Sequence, residues 1–308
     1  MQSGDRRTDE IGPPIEAEDY KVVKDNRHRS PFQLSVRRFF KNKLAVLGLI
    51  ILILVILVAI FAPFFAEHDP TKTDMIKIEQ SPSKEHYLGT DSSGRDNFAR
   101  LVYGSRVSLS IGLAAMLFTV VIGVVLGSLS GYYGGIIDGI IMRAADLVLA
   151  LPFIVLALTI ISIVERVTIG IFITIIALTT WPTLTRIIRG SFLSLREQEF
   201  IQGAKAIGAT DFQIIRKHFL PNAVGPIIVN ATLLMATMII AESALSFVGM
   251  GIPQPTPTWG NMLTEAQNIR ILRNHPEAWI PPGLSILVTV LAINFIGDGL
   301  RDAFDPKR

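Results

Sequence analysis

The 308-residue sequence contains no cysteine, which excludes disulfides, thiolate metal centres and a cysteine nucleophile. Its five histidines (His28, His68, His86, His218 and His275) all fall outside the long apolar runs, so none can act as a base at membrane depth. The hydrolase pattern G-x-S-x-G, the zinc-protease pattern H-E-x-x-H and the phosphate-cradling pattern G-x-x-x-x-G-K-[ST] are also missing. No catalytic set, metal site or cofactor site is therefore expected. If this chain works with ATP, another polypeptide must bind the nucleotide.

Charge is sparse too, at 18% of residues, and it is absent from Leu44 to Ala66. A helix over that run is about 33 Å long, enough to cross a hydrocarbon core of about 30 Å. Further runs of this kind and a mean hydropathy of +0.46 give the fold class: all-α, a polytopic membrane protein with six transmembrane helices. A β-barrel is excluded because its strands alternate in polarity instead of running continuously apolar. The expected spans are Leu44–Phe65, a crossing within Val107–Ile137, Ile136–Val164, Thr168–Thr185, Ala223–Val248 and Ala278–Ile296. Residues 1–43 form an N-terminal segment, disordered at its start; 44–106 hold the first span and an extracytoplasmic segment; 107–308 hold the remaining five spans.

Local features refine these spans. Gly123, Gly127 and Gly131 recur every four residues, a face on which a neighbouring helix of the same chain packs closely. Arg143 and Asp146, three apart, are placed to pair on one face, and Pro152 to kink the third span. The segment 249–277, with four prolines and Trp259, reads as an ordered external loop. Glu242 is the only acid well inside an expected span. It fits a proton site, a helix-packing hydrogen bond or a pore lining.

The net charge of +3 reflects orientation rather than nucleic-acid binding. Arg37, Arg38, Lys41 and Lys43 abut the first span and anchor it at lipid headgroups on the cytoplasmic side. Of the 29 Lys and Arg residues, the inner segments of this topology hold 20 and the outer ones nine. Both termini are therefore expected in the cytoplasm of a cell-membrane protein.

The inner loop at about 190–222 differs from an ordinary connection. Ser194-x-x-Glu197 reads as a capping box, followed by Phe200, Gly203, Ala204, Ile207 and Gly208 at helical spacing. Thr210-x-x-Gln213 reads as a second capping box, opening a short helix that Pro221 ends. The small residues let a partner approach the backbone closely, with Lys205 free to pair at the rim.

This loop resembles the coupling segment of bacterial ABC-importer permeases: E-A-A, three residues, G, nine residues, I-x-L-P. Here the pattern is Gln202-Gly203-Ala204, Gly208, then His218-Phe219-Leu220-Pro221; Gln202, Gly203 and His218 depart from it. Three further stretches resemble the C-type permease subunit of the dipeptide/oligopeptide group: His86–Asp96, Ala241–Gly249 and Gly297–Asp302 before Asp305-Pro306. The likeness extends over about residues 35–308. It implies a non-enzymatic subunit that pairs with a second, B-type permease and two ATP-binding subunits. An extracytoplasmic binding protein delivers peptide to that assembly. The coupling residues it implies are Gln202, Gly203, Ala204, Lys205, Ile207, Gly208, Leu220 and Pro221. A permease of the same architecture for a nickel chelate or another small solute, and a stand-alone carrier, are the alternatives.

Purified alone, the chain is expected to show no ATP hydrolysis; phosphate release that persists after every contaminating ATPase has been removed overturns this reading.

Overall fold

The computed structural model describes residues 31–304, with side chains from Leu34 onward. The disordered start expected within 1–43, and the Asp305-Pro306 pair, lie outside the described residues. An amphipathic helix α1 (Pro31–Lys41) leads into α2 (Lys43–Ile60), which Asn42 caps by accepting from the Leu44 and Ala45 amides, and a short α3 (Ala62–Phe65) follows. Then come α4 (Asn97–Tyr133), α5 (Gly135–Leu149), α6 (Phe153–Ile163) and α7 (Ile169–Arg196). The remaining helices are α8 (Glu199–Ala206), α9 (Asp211–Ile214), α10 (Leu220–Phe247), α11 (Trp259–Met262), α12 (Ile269–Asn274) and α13 (Pro276–Phe304). The described residues contain no strand, only an isolated bridge between Thr90 and Asp96.

Among the described residues, five helices are long and apolar enough to cross a membrane: α2, α4, α7, the continuous α9–α10 and α13. The pair α5 and α6, bent by 88° at its break, brings the number to six when it is counted as one broken span. Pro152 was expected to kink this span and instead breaks it. Proline biases the preceding residue away from helical geometry, and Pro152 itself, at φ −56° and ψ 133°, becomes the N-cap of α6. The expected Arg143–Asp146 pair does not form, because Asp146 bonds Arg186 across to α7 at 2.6 Å. Asp138 likewise accepts two bonds of 2.6 Å from Arg189.

The glycine repeat does what its spacing suggested. A Cβ placed at Gly123 would come within 2.9 Å of Leu184, and one at Gly127 within 2.8 Å of the Thr185 carbonyl. At Gly131 it would lie 2.6 Å from the Phe192 Cβ. α4 and α7 therefore meet at backbone distance along three successive turns, gaining dispersion contacts that lipid tails cannot match.

α4 begins ten residues before the expected start at Val107, with Asp96 capping it by accepting from the Ala99 amide at 2.6 Å. Its first turns belong to an outer layer. There Asp91 accepts from Arg95 Nε at 2.7 Å and lies 3.4 Å from Arg100 Nε. Arg100 also reaches Asn261 at 3.4 Å, and Ser92 donates to Glu265 at 2.8 Å. Burial pushes the Glu265 carboxyl above its ordinary range, and the Ser92 hydrogen bond opposes the shift. Trp259, 2% exposed, donates its indole N–H to Leu101 O at 3.1 Å, so the proline-rich loop is ordered against α4.

Gly127→Val is expected to destabilise the fold by about 1–3 kcal/mol through overpacking. A Cβ at Gly139 meets nothing within 4 Å, so Gly139→Ala is expected to leave the thermal midpoint unchanged or slightly higher. Thermal unfolding in detergent compares the two.

Candidate coupling surface

The segment between α7 and α10 is built from three pieces. α7 continues past the expected end of its span to Arg196, which places Ser194 inside its last turns. The expected Ser194–Glu197 capping box is therefore not formed. Helical registry inherited from the span outweighs the local cap, and α8 starts instead at Gln198, which makes no side-chain cap bond.

α8 turns Ile201 (0% exposed) and Ala204 (7%) into a cluster with Tyr132, Leu184, Ile188, Phe192, Ile214, Phe219 and Ala223. The expected five-residue stripe is thus split. Phe200, Gly203 and Ile207 face outward, whereas Ala204 follows Ile201 inward, because a bulky apolar residue three positions earlier fixes the buried side. Gln202 and Lys205 are exposed, but Lys205 Nζ sits 5.3 Å over the Tyr132 ring rather than free at the rim.

Gly208 is the C′ residue that ends α8. Its φ is +84°, its amide donates to Lys205 O at 3.0 Å, and the Ala209 amide donates to Ala204 O at 3.1 Å. These are the two bonds of a Schellman stop, which favours glycine because of the left-handed backbone. Gly208 is exposed as well, but it lies beyond the helix whose face it was expected to share.

The second capping box is present. The Gln213 amide donates to Thr210 Oγ1 at 3.4 Å, and the Thr210 amide donates to Gln213 Oε1 at 3.1 Å. Pro221 does not end this helix. A π-turn, Ile215–Phe219, carries α9 directly into α10, with the Leu220 amide donating to Ile215 O. Proline occupies the first turn after that wider register, where its missing N–H leaves no gap in the bonding. Leu220 is half-buried and Pro221 exposed.

Tyr132, Asp211 and Phe212, absent from the sequence reading, complete the surface. Tyr132, at the inner end of α4, donates to Asp211 Oδ1 at 2.6 Å and so ties α9 to α4. Phe212 is 71% exposed and Ile207 86%, two apolar projections near the half-exposed Phe200 in sequence and on an otherwise polar segment. Phe212 stands two residues after the Thr210 cap, and with Ile215 at i+3 and Phe219 at i+7 nothing in its spacing marked it as exposed. Small and apolar outward groups on a braced backbone can receive a partner surface without rearrangement.

Glu242 is at the other end of α10 and is 0% exposed. It accepts from Ser246 Oγ at 2.8 Å and from Ser108 Oγ at 3.4 Å. Ser108 also accepts from the Trp259 amide at 3.0 Å, so the carboxyl sits at a junction of α10, α4 and the outer loop.

The model for the family described as binding-protein-dependent transport system inner membrane component matches residues 123–308, which include the whole segment from α7 to α10. The chain belongs to that family. A second match, to the N-terminal TM domain of oligopeptide transport permease C, covers residues 30–82. This inner-membrane component is 42% identical over 300 residues to the dipeptide transport system permease protein DppC of Alkalihalophilus pseudofirmus, covering 97% of this chain and 96% of the relative. It is 41% identical over 272 residues to the oligopeptide transport system permease protein OppC of Bacillus subtilis, covering 88% of each. Among solved structures it resembles an inward-facing MetNI methionine ABC transporter, with a TM-score of 0.53 and 23% identity. That likeness covers 67% of this chain and 96% of the other, and it concerns the fold.

Because a Cβ at Gly203 or Gly208 meets nothing within 4 Å, backbone conformation alone separates the two. Gly203→Ala is expected to stabilise by about 0.5–1 kcal/mol through helix propensity, and Gly208→Ala to destabilise by about 1–2 kcal/mol through its left-handed φ. Thermal unfolding of the two variants reads the opposite signs.

Proposed function

We propose that this chain is the C-type permease subunit of an ATP-driven peptide importer and forms half of its translocation pathway. The observation that carries the peptide reading is the near full-length similarity to permeases named for dipeptide and oligopeptide transport. In this reading a second, B-type permease supplies the other half of the pathway. Two ATP-binding subunits supply hydrolysis, and an extracytoplasmic binding protein delivers the peptide. The chain sits in the cell membrane with both termini in the cytoplasm, a reading that the Lys and Arg distribution supports.

Coupling resides in the outward face of α8 and the start of α9. Phe200, Gly203, Ile207 and Phe212 seat in a groove of an ATPase subunit, with Gln202 hydrogen bonding at its edge. Ala204 and Leu220 anchor this face from within, Lys205 braces it on Tyr132, and Gly208 and Pro221 shape the backbone on either side of the second cap. Its amphipathic character does not make α8 a helix for the lipid surface: it has eight residues, and Phe200 is the one large apolar side chain on its outward face. Glu242 serves as an interface residue, since its carboxyl is enclosed by hydroxyl donors.

The decisive measurement is ATP-dependent uptake by the reconstituted assembly, with peptides assayed against nickel chelates; peptide uptake supports this reading, and uptake of chelates alone overturns the cargo. Gly203→Arg, whose side chain meets open space in this chain, is expected to abolish co-purification of the ATPase while the permease still inserts. Normal co-purification in that variant overturns the docking face.

A further inference from the structure

The basic cluster before the first span was expected to anchor that span, and the structure makes it part of a separate helix with three distinct faces. Residues 37–43 hold Arg37, Arg38, Lys41 and Lys43, and residues 31–43 contain no Asp or Glu. We propose that α1 lies in the plane of the membrane interface and is a binding site for anionic phospholipid headgroups. The inference needs α2 to be a membrane span and does not depend on the cargo.

One face of α1 belongs to the protein. Phe39, 8% exposed, clusters with Ala45, Ile296 and Ala303. A Cβ at Gly299 would stand 3.2 Å from the Phe39 ring, so α1 rests against the backbone of α13. Asn42, which caps α2, also donates from Nδ2 to Asp302 Oδ2 at 3.4 Å. The helix is therefore held where α2 begins and α13 ends.

The second face has no such cover. Val36 and Phe40, four residues apart and so on one side of the helix, are 40% and 59% exposed. Leu44 and Leu47 follow on α2, 56% and 47% exposed, within an uncharged stretch that is surrounded by lipid in a spanning helix. Phe40 lies just before that stretch. Arg37 and Lys41 form the third face, turned about 100° from Val36 and Phe40. Both are exposed, and neither makes an ion pair among the described residues.

A helix lying at the interface satisfies both uncovered faces at once. Its apolar side enters the boundary of the acyl chains and its cationic side meets the headgroups. Burial of Val36 and Phe40 needs lipid of any kind, whereas the charge selects among lipids. Four Lys and Arg residues beside a span, with no acid among them, attract anionic headgroups. Their long stems let the charges reach phosphate level while the helix stays low.

The test uses the full chain, which has no cysteine, so Phe40→Cys and Lys41→Cys each give a single site for a nitroxide label. In vesicles of phosphatidylcholine mixed with phosphatidylglycerol, the label at 40 is expected to be relaxed by oxygen and shielded from a water-soluble relaxing agent. The label at 41 is expected to show the reverse order. Equal access of the water-soluble agent to both labels overturns the interfacial position. The second readout is the phospholipid that the detergent-purified chain retains in native mass spectrometry. The wild type is expected to retain phosphatidylglycerol over phosphatidylcholine, with a preference that weakens in high salt. Arg37→Gln/Lys41→Gln is expected to lose about five-fold of that preference for each charge removed. Arg38 and Lys43 remain in this variant to orient the first span, and the two replaced side chains are exposed, so the thermal midpoint is expected to hold. Equal retention of the two lipids by the wild type, or an unchanged preference in the double variant, overturns the proposal and leaves α1 to a protein partner.

Discussion

The contact between the glycine face of α4 and the large side chains of α7 sets the position of nearly everything on the inner side. Leu184, Ile188 and Phe192 lie over Gly123, Gly127 and Gly131, and the same three residues then form the floor on which Ile201, Ala204 and Phe219 rest. One seam therefore fixes both the packing of two spans and the height at which the coupling segment emerges. Water supplies no hydrophobic drive between helices in lipid, so this close approach, the dispersion it allows and the ion pairs from α5 to Arg186 and Arg189 bear the burden.

The outer layer is held by different chemistry. Asp91, Arg95, Arg100, Asn261 and Glu265 form a compact polar network, and close by Ser108 accepts from the Trp259 amide and donates to Glu242. Buried ionic groups of this kind cost desolvation and are retained where each has partners. Partnering is dense here, with Asp91 alone accepting from the Ser93 and Arg95 amides as well as from guanidinium groups. The two outer segments, far apart in sequence, are thereby joined above the spans.

The spans were legible because lipid requires long uncharged runs, and the glycine repeat was legible because close packing requires its period. Helix ends were not. Asn97–Arg106, Thr185–Arg196 and Asp211–Phe219 extend spans into polar surroundings, where no hydropathy marks them and registry with the membrane part decides. Ser194 had the right spacing to Glu197 for a cap but sat within such an extension. Proline was ambiguous for a related reason. Pro152 broke a span, whereas Pro221 fell where a π-turn had already shifted the bonding, and only the full backbone register separates these outcomes. Within the coupling segment the sequence showed the small residues and the second cap. It did not show that Ala204 faces inward or that Tyr132 reaches Asp211, since both depend on α4.

The uninterrupted run from Asp211 to Phe247 has a mechanical meaning. At 1.5 Å per residue, Glu242 stands roughly 46 Å along this rod from the Asp211 carboxyl that Tyr132 grips. A tilt of about 5° at the inner end displaces the outer end by about 4 Å over that length. Such a displacement exceeds what the bond from Ser108 on α4 to Glu242 can stretch, whereas Ser246 moves with Glu242 on α10. The π-turn at Ile215–Phe219 and Pro226 both lie between these ends, so the same run also carries the positions at which a long helix bends and can take up part of such a tilt.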